Sequence, residues 1–582
     1  MDHHEGPAMR EADQQRVTID VRPAKDDRPR AKVTLVRPPV VVLPGALATH
    51  GPTPPLGAAY VAAALRDVGH DVALIDGAGE AIGNWVEVES PVGTLHRIGL
   101  SPEDIVDLID PESDIVGITT MFLHEWPQVR ELAALIKQRL PDTFLILGGE
   151  NATAFSRWIL AQSDDIDCCV LGEGEATAVE LADRIAEGKP LHGMTGIALH
   201  SSVDGEVLDT GLSTRISKQE LNSTPRPAWD LVPLDKYFAH YPFFGVNRGR
   251  SMQVLGTRGC PYKCSFCSSP QMWTTKYVVR EPEDVVDEIA QYVDVYGIEN
   301  VNFVDLTAAT NRKWTLGLCA ALEARLPDIE WQLPVGTRIE AIDREVLQRI
   351  YDTGCRNITF APESGSQRML EIMDKRVKLD KVLAAVEDGN DIGLHTMINI
   401  IIGHPDETWP DMRKSVRFMW KAAWKGCQDT AVMMFCPYPG SADFEDLVES
   451  GKHEIDEAAY YVGLSRGSSS HRSWNTSMSA RQLRWMQLYM IASFYVVSWV
   501  RRPKRAWDFF KAQITGSEDT YLDQMVRTKR KNLQTVEADV EAVELPVLRR
   551  EEGARIGPTP DVAPLPRPER AEQAVAALAE RR

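Results

Sequence analysis

The stretch M-Q-V-L-G-T-R-G-C-P-Y-K-C-S-F-C, Met252 to Cys267, governs how the rest of the chain is read. Its first half is a strand-like run ending in Gly and Thr, and its second half is a loop carrying Cys260, Cys264 and Cys267 in a C-x3-C-x2-C spacing. Three thiolates so close can share one inorganic centre. Iron–sulfur clusters are normally held by four cysteines, so three with no obvious fourth leave one iron open to another ligand. Zinc is the main alternative, but zinc ribbons pair two C-x2-C knuckles and no second knuckle occurs. Nine cysteines in 582 residues, three clustered and six scattered, indicate a metal site in a reducing compartment rather than a disulfide framework.

Downstream of this loop the runs V-N-F-V-D, W-Q-L-P-V-G, N-I-T-F-A-P-E, M-I-N-I-I-I-G and A-V-M-M-F-C-P alternate with helical segments. With the first run they make six strands, which predicts an incomplete (β/α)6 barrel over 248–450. Upstream, K-V-T-L-V, D-V-A-L-I-D, D-I-V-G-I-T-T, F-L-I-L-G-G and D-C-C-V-L-G also alternate with helical stretches, predicting a doubly wound, Rossmann-like α/β domain over 31–198. Its first helix should end at Gly69, a residue suited to the C′ position. Residues 199–247, rich in Pro, Gly, Ser and Asp, read as a linker with room for a hairpin. Residues 451–547 read as a helical domain, in which the run Leu488 to Val500 is expected to be a buried helix with a basic end, or a docking element for a greasy substrate or membrane surface. That run is too short for the ~20 residues of a bilayer span. Residues 1–30 and 548–582 mix charge and Pro without apolar periodicity and are expected to be disordered tails.

Overall, 64 Lys and Arg stand against 84 Asp and Glu, a formal charge of −20. This argues against nucleic acid or an anionic membrane as the main partner and favours a small-molecule substrate. The polar opening residues contain no apolar signal region, so a cytoplasmic protein is expected.

On these residues the cysteine loop resembles that of the radical S-adenosylmethionine (SAM) superfamily, whose open iron binds the amino and carboxylate groups of SAM. The resemblance implies a 4Fe-4S cluster on the three cysteines, with Phe266 near the adenine. It further implies SAM contacts from Arg338 at the third strand end, from Glu363 and Ser364 in A-P-E-S-G-S, and from Asn399 and Ile402 in N-I-I-I-G-H-P-D-E-T. Tyr438 in C-P-Y-P-G-S completes the set. One departure stands out: relatives often carry two adjacent acids at the second strand end, whereas this chain has only Asp305.

The first domain resembles the cobalamin-binding module that precedes many radical SAM cores, through V-R-P-P near Arg37, T-P-P-L-G-A-A-Y, I-T-T, L-G-G-E and L-G-E-G-E. The implied cobalamin contacts are Thr53, Leu56, Gly57, Thr119, Thr120, Gly148, Gly149, Glu150, Gly172, Glu173, Gly174 and Glu175. Small residues at strand ends let a bulky ligand approach the backbone. Neither G-x-G-x-x-G after the first strand nor G-x-x-x-x-G-K-[ST] occurs, so a nucleotide site lacks support. Methionine-synthase-like cobalamin proteins carry D-x-H-x-x-G. His50 and His124 stand outside such a motif, so the resemblance implies cobalamin without a lower histidine ligand.

Taken together, the two resemblances imply a cobalamin-dependent radical SAM methyltransferase fed by a reductant such as flavodoxin or ferredoxin. H-E-W-P at His124 to Pro127 and P-R-P-A-W-D at Pro225 to Asp230 look most like the branch that methylates carbon or phosphorus in natural products. A cobalamin-linked radical oxidoreductase or cyclase is the alternative within enzymes. A non-catalytic cobalamin or redox sensor is the alternative outside them. No residue announces a general base.

Overall fold

The computed structural model describes residues 29–44, 51–200, 206–240, 245–465, 472–515, 520–524 and 526. His50 and nearly all of both tails lie outside the described residues. Seven strands form the first sheet: β1 (Lys32–Arg37), β2 (Asp71–Asp76), β3 (Ile115–Thr119), β4 (Phe144–Gly148), β5 (Cys168–Val170), β6 (Ile197–His200) and β7 (Val207–Asp209). Their order across the sheet is β7-β6-β5-β4-β3-β1-β2. Strands β1 to β5 are mutually parallel, and β6 and β7 add an antiparallel hairpin at one edge. The chain therefore winds one way from β1 to β2 and the other way from β3 onward, which leaves a crevice beyond the carboxyl ends of β1 and β3.

Helix α1 (Leu56–Asp67) packs on this sheet with an Ala-rich face. It stops where expected: Gly69 takes φ +101°, and the His70 amide donates back to the Leu65 carbonyl at 3.1 Å, a turn that costs a Cβ-bearing residue strain. A three-stranded antiparallel insert, Val40–Val42, Trp85–Val88 and Leu95–Ile98, sits outside the sequence-based expectation. Its strands are too short to stand out by alternation.

The second sheet has the six expected strands, all parallel and in chain order: β8 (Ser251–Val254), β9 (Asn300–Phe303), β10 (Glu330–Thr337), β11 (Cys355–Glu363), β12 (His395–Ile402) and β13 (Asp429–Met434). Helices follow each strand and cover the outer face. Every catalytically interesting loop thus emerges at one end, the carboxyl end of the strands.

The segment between the sheets is a wedge of packed contacts. Residues Val207–Asp209 pair with the first sheet, and P-R-P-A-W-D then stitches both halves together. The Ala228 amide bonds the Ala59 carbonyl of α1 at 3.0 Å, Asp230 takes both guanidinium nitrogens of Arg66, and buried Trp229 donates its indole N–H to Tyr292 Oη at 2.9 Å. Tyr292 belongs to the barrel helix α2 (Pro282–Tyr296) and donates its own hydrogen bond to Glu288 Oε1.

Behind β13 lie helices α3 (Trp409–Lys425), α4 (Ala480–Arg501) and α5 (Pro503–Thr515). The Leu488 to Val500 run lies within α4, and only one side of it is buried. Val496 is 56% and Val500 71% exposed. The expectation of a buried helix with a basic end is corrected in part, because α3, β13 and α5 cover one side of it and leave its outer face open. No described helix is long and apolar enough to cross a membrane.

Trp229→Ala should destabilise the protein by about 3–5 kcal/mol in a urea titration, since it removes a fully buried aromatic at the joint. Trp229→Phe should cost less, because the volume is largely kept and only the indole donor to Tyr292 is lost.

Candidate cofactor centre

Strand β8 hands over to the cysteine loop through Gly256, Thr257, Arg258 and Gly259. Thr257–Arg258 pairs antiparallel with Val278–Val279, which brackets the loop at its base. At Gly259, with φ +84°, a Cβ would stand 2.1 Å from the Lys276 carbonyl, so the R-G-C turn admits only glycine. Cys260, Cys264 and Cys267 are half-buried, whereas the other six cysteines are buried. All three come from one loop, so each thiolate can meet a different iron of a single cluster.

Burial pushes the three thiols up, while the cations Lys375 and Arg338 favour the thiolate of Cys264. Arg338, one residue past β10, lies 3.5 Å above the Tyr262 ring and places Nη1 3.8 Å from Cys264 Sγ. Lys375 is buried and donates to Glu363 Oε1 at 2.9 Å, with its Nζ 5.8 Å from the Phe266 ring centroid. Burial works against its charge, but Glu363 and Cys264 outweigh burial and hold the ammonium above its ordinary value. Glu363 sits at φ +65°, a strained setting for a residue with a Cβ, at the end of β11. Asn399 Oδ1 is buried with no hydrogen-bond partner. Acceptor, cations and an unsatisfied amide oxygen in one cleft fit a zwitterionic amino acid and a purine, which is what SAM carries.

Four sequence-predicted SAM residues acquire a context. Phe266 and Tyr438 join Ile401 against Phe435 and Trp474 in one small apolar cluster. Ile402 is separated from them by the pleat: Asn399 and Ile401 face inward, whereas Ile398, Ile400 and Ile402 are fully buried on the helix side, and the Ile402 carbonyl already accepts from the Phe435 amide at 2.8 Å. Ser364 is spent on its own turn, bonding Ser415 Oγ at 3.3 Å and the Ser366 amide at 3.1 Å. Lys375 escaped the sequence reading because it is one of several basic residues after Glu363. Only the turn that bonds its amide to the Leu370 carbonyl carries it inward.

Across the joint lies a cavity of about 330 Å³. One wall comes from the crevice of the first sheet, including Leu56, Gly57, Thr119, Gly148, Gly149 and the loop Gly172 to Glu175. The other wall is Leu255, Thr257, Arg258, Gly259, Met272, Trp273, Val304 and Leu306. A Cβ added at Gly57 or Gly148 meets nothing within 4 Å, so the wall there is flat because these positions lack one. At Gly149, φ +112°, a Cβ would stand 2.4 Å from the Thr120 carbonyl. Flat, glycine-lined and apolar, this wall fits the face of a large macrocycle. Thr53 and Thr120 do not line the cavity, and Thr120 is instead buried against Asn151. His124 stacks on Phe122 at 5.3 Å, also away from the lining.

The three acids of the cobalamin set serve the joint. Glu150 bonds Ser268, the residue after Cys267. Glu175 pairs with Arg258 at 2.6 Å, and Glu173 lies 2.6 Å from Arg215 and 3.5 Å from Arg258. Burial works to raise Glu175, but Arg258 more than offsets it and holds the carboxyl below its ordinary value. Asp305, which the sequence left without a role, anchors the same loop by accepting from Thr257 Oγ1 at 2.5 Å and from the Gly256 amide. Burial pushes it up to about 6.

The comparisons agree with this geometry. The Radical SAM superfamily model matches residues 254–419, and the B12 binding domain model matches residues 44–182. An uncharacterized methyltransferase of Pyrococcus horikoshii is 31% identical over 417 residues, covering 71% of this chain and 82% of that protein. The cytidylyl-2-hydroxyethylphosphonate methyltransferase of Streptomyces wedmorensis is 29% identical over 444 residues, covering the same shares. Among solved structures, the cobalamin-dependent S-adenosylmethionine radical enzyme OxsB with aqua-cobalamin bound has a TM-score of 0.60 at 13% identity, covering 88% of this chain and 81% of that one. The chain belongs to the cobalamin-dependent radical SAM methyltransferase family. Its cofactors are a 4Fe-4S cluster, SAM and cobalamin.

Arg258→Gln should destabilise the protein by about 3–5 kcal/mol, because it leaves Glu175 buried without its cation. Arg258→Met with Glu175→Met should recover most of that loss in the same denaturation assay. A second expectation concerns Glu407, which binds the Gly403 amide at 2.6 Å and is pushed up to about 8 by burial. The native state then holds this proton more tightly than the unfolded chain, whose carboxyl titrates near 4.5. Stability should fall as pH rises from about 4.5 to about 8, by an amount on the order of 5 kcal/mol, and Glu407→Gln should flatten that slope.

Proposed function

We propose that this enzyme transfers a methyl group from SAM, by way of cobalamin, to an unactivated carbon or a phosphinate phosphorus of a small natural-product-type molecule. The observation that carries the reading is the shared cavity, whose opposite walls are the glycine-lined crevice of the first sheet and the base of the cysteine loop. The Streptomyces relative, named for methylation of a hydroxyethylphosphonate conjugate, supports the chemical class. So does the resemblance of H-E-W-P and P-R-P-A-W-D to that branch.

When bound, the reduced cluster with SAM supplies hydrogen-abstracting radical chemistry, and cobalamin supplies the methyl group. The protein's own residues hold and shield. Cys260, Cys264 and Cys267 hold the cluster, and Lys375 and Arg338 offer cations to the SAM carboxylate. Glu363 accepts from its amino group, and Asn399, Phe266 and Tyr438 frame the adenosine. Backbone at Leu56, Gly57, Gly148, Gly149, Gly172 and Gly174 receives the corrin. Leu255, Met272, Val304 and Leu306 exclude water from the space between. The reductant is a small electron carrier such as flavodoxin or ferredoxin, in keeping with a cytoplasmic, reducing setting.

Anaerobic reconstitution with hydroxocobalamin should give cobalt and about four irons per chain. With reductant and a phosphinate or carbon acceptor, both 5′-deoxyadenosine and S-adenosylhomocysteine should accumulate. Deoxyadenosine alone would mark oxidation or cyclisation instead, and no SAM cleavage at all would mark a sensor. Cys264→Ala should abolish reductive cleavage.

A further inference from the structure

The outer face of the C-terminal helices carries a surface that the reaction does not use. Along α4, Trp485, Tyr489, Val496 and Val500 recur at helical spacing and point outward, and Trp485 and Val500 are each 71% exposed. On α5, Trp507, Phe510 and Ile514 continue the stripe, with Ile514 86% exposed. Ring contacts between Trp499 and Phe510 join the two helices into one face. Between α3 and α4 the face opens into a groove of about 560 Å³ floored by Trp420, Trp424 and Val497. Contiguous exposed apolar area of this kind marks an interaction site.

Charge is segregated onto the same face. Residues 412–425 and 480–507 contain eleven Lys and Arg and no Asp or Glu, in a chain whose formal charge is −20. Some of these cations are spent inward. Arg502 and Arg505 bond the carbonyls that end α3, and Lys425 pairs with Glu387. Arg417, Lys421, Arg501 and Lys504 are exposed and make no ion pair among the described residues. They border the apolar stripe.

We infer that this face docks flat onto an anionic phospholipid surface. An apolar stripe rich in Trp and edged by Lys and Arg is the arrangement that seats a helix at the headgroup boundary, and each basic residue adds attraction to anionic lipid. The position of the groove argues against an electron carrier as its occupant. The groove lies at the carboxyl end of α3, where Arg505 bonds Gly426 and Cys427 at the start of β13. That is the end of the barrel opposite the cysteine loop. A second copy is disfavoured because a two-fold contact would set one cationic rim against the other.

The test is co-sedimentation of the full-length, cofactor-loaded protein with extruded vesicles. It should pellet with vesicles of mixed phosphatidylglycerol and phosphatidylcholine, stay soluble with phosphatidylcholine alone, and be released by high salt as screening grows. Arg417→Glu with Lys421→Glu should weaken binding at least about tenfold. Trp507→Ser with Val500→Ser should weaken it without changing its salt dependence. All four positions are exposed, so circular dichroism and SAM cleavage should be unchanged. Absence of binding to anionic vesicles, or equal binding by the charge-reversed variant, overturns the inference. So does a dimer in sedimentation equilibrium that the charge-reversed variant dissociates, which would assign the face to a second copy.

Discussion

Arg258 is the residue on which the two halves depend. It follows Thr257 in the turn that launches the cysteine loop, yet its guanidinium is buried against Glu175 and Glu173 of the other domain and lies 5.0 Å from the Tyr60 ring centroid on α1. A buried cation is costly unless it is paired. The pairing therefore holds the base of the cluster loop against the strand-end loop that borders the cavity. Neighbouring contacts repeat the device: Glu150 reaches Ser268, and Glu173 also lies 2.6 Å from Arg215 of the segment between the sheets. The spacing between two cofactor sites on separate sheets is thereby set by short polar bonds and not by a flexible tether.

The electrostatics of the cleft follow from the same economy of space. Two cations, Arg338 and Lys375, flank the cysteine trio, and one acid, Glu363, is held beside them in a strained backbone setting. Their charges favour thiolates and an incoming carboxylate together, so the binding of metal and of SAM draws on one preorganised field. Glu407 and Asp305, by contrast, are buried carboxyls tied to backbone turns, and both are pushed toward the neutral form. They shape loops, and of the two only Glu407 is held mainly uncharged at neutral pH.

Net charge is a poor guide to local surfaces in this protein. An overall excess of acid argued against an anionic membrane as the main partner, but helix geometry gathers the basic residues of two distant segments onto one side. Folding aligns them because α3 and α4 pack side by side behind β13, so basic residues more than about eighty positions apart share a rim.

The six strands of the second sheet, the order of the two α/β units and the cysteine trio were legible in the sequence, because each rests on local spacing: apolar runs of strand length, a C′ glycine at Gly69, and three thiols within eight residues. Glycines lining the crevice were legible for the same reason. Partner choice was not. Glu173 and Glu175 read as cofactor contacts, and only tertiary packing shows their carboxylates turned to Arg215 and Arg258. Ile402 read as part of the SAM cleft until the pleat of β12 placed it on the far face. Lys375 was indistinguishable from its basic neighbours until a turn carried it inward, and the exposed stripe of α4 could not be told from a buried one by composition. Local sequence determines which elements form and where small or sulfur-bearing residues punctuate them. Which charge meets which, and which face of an element remains uncovered, are properties of long-range packing, since they depend on groups far apart along the chain.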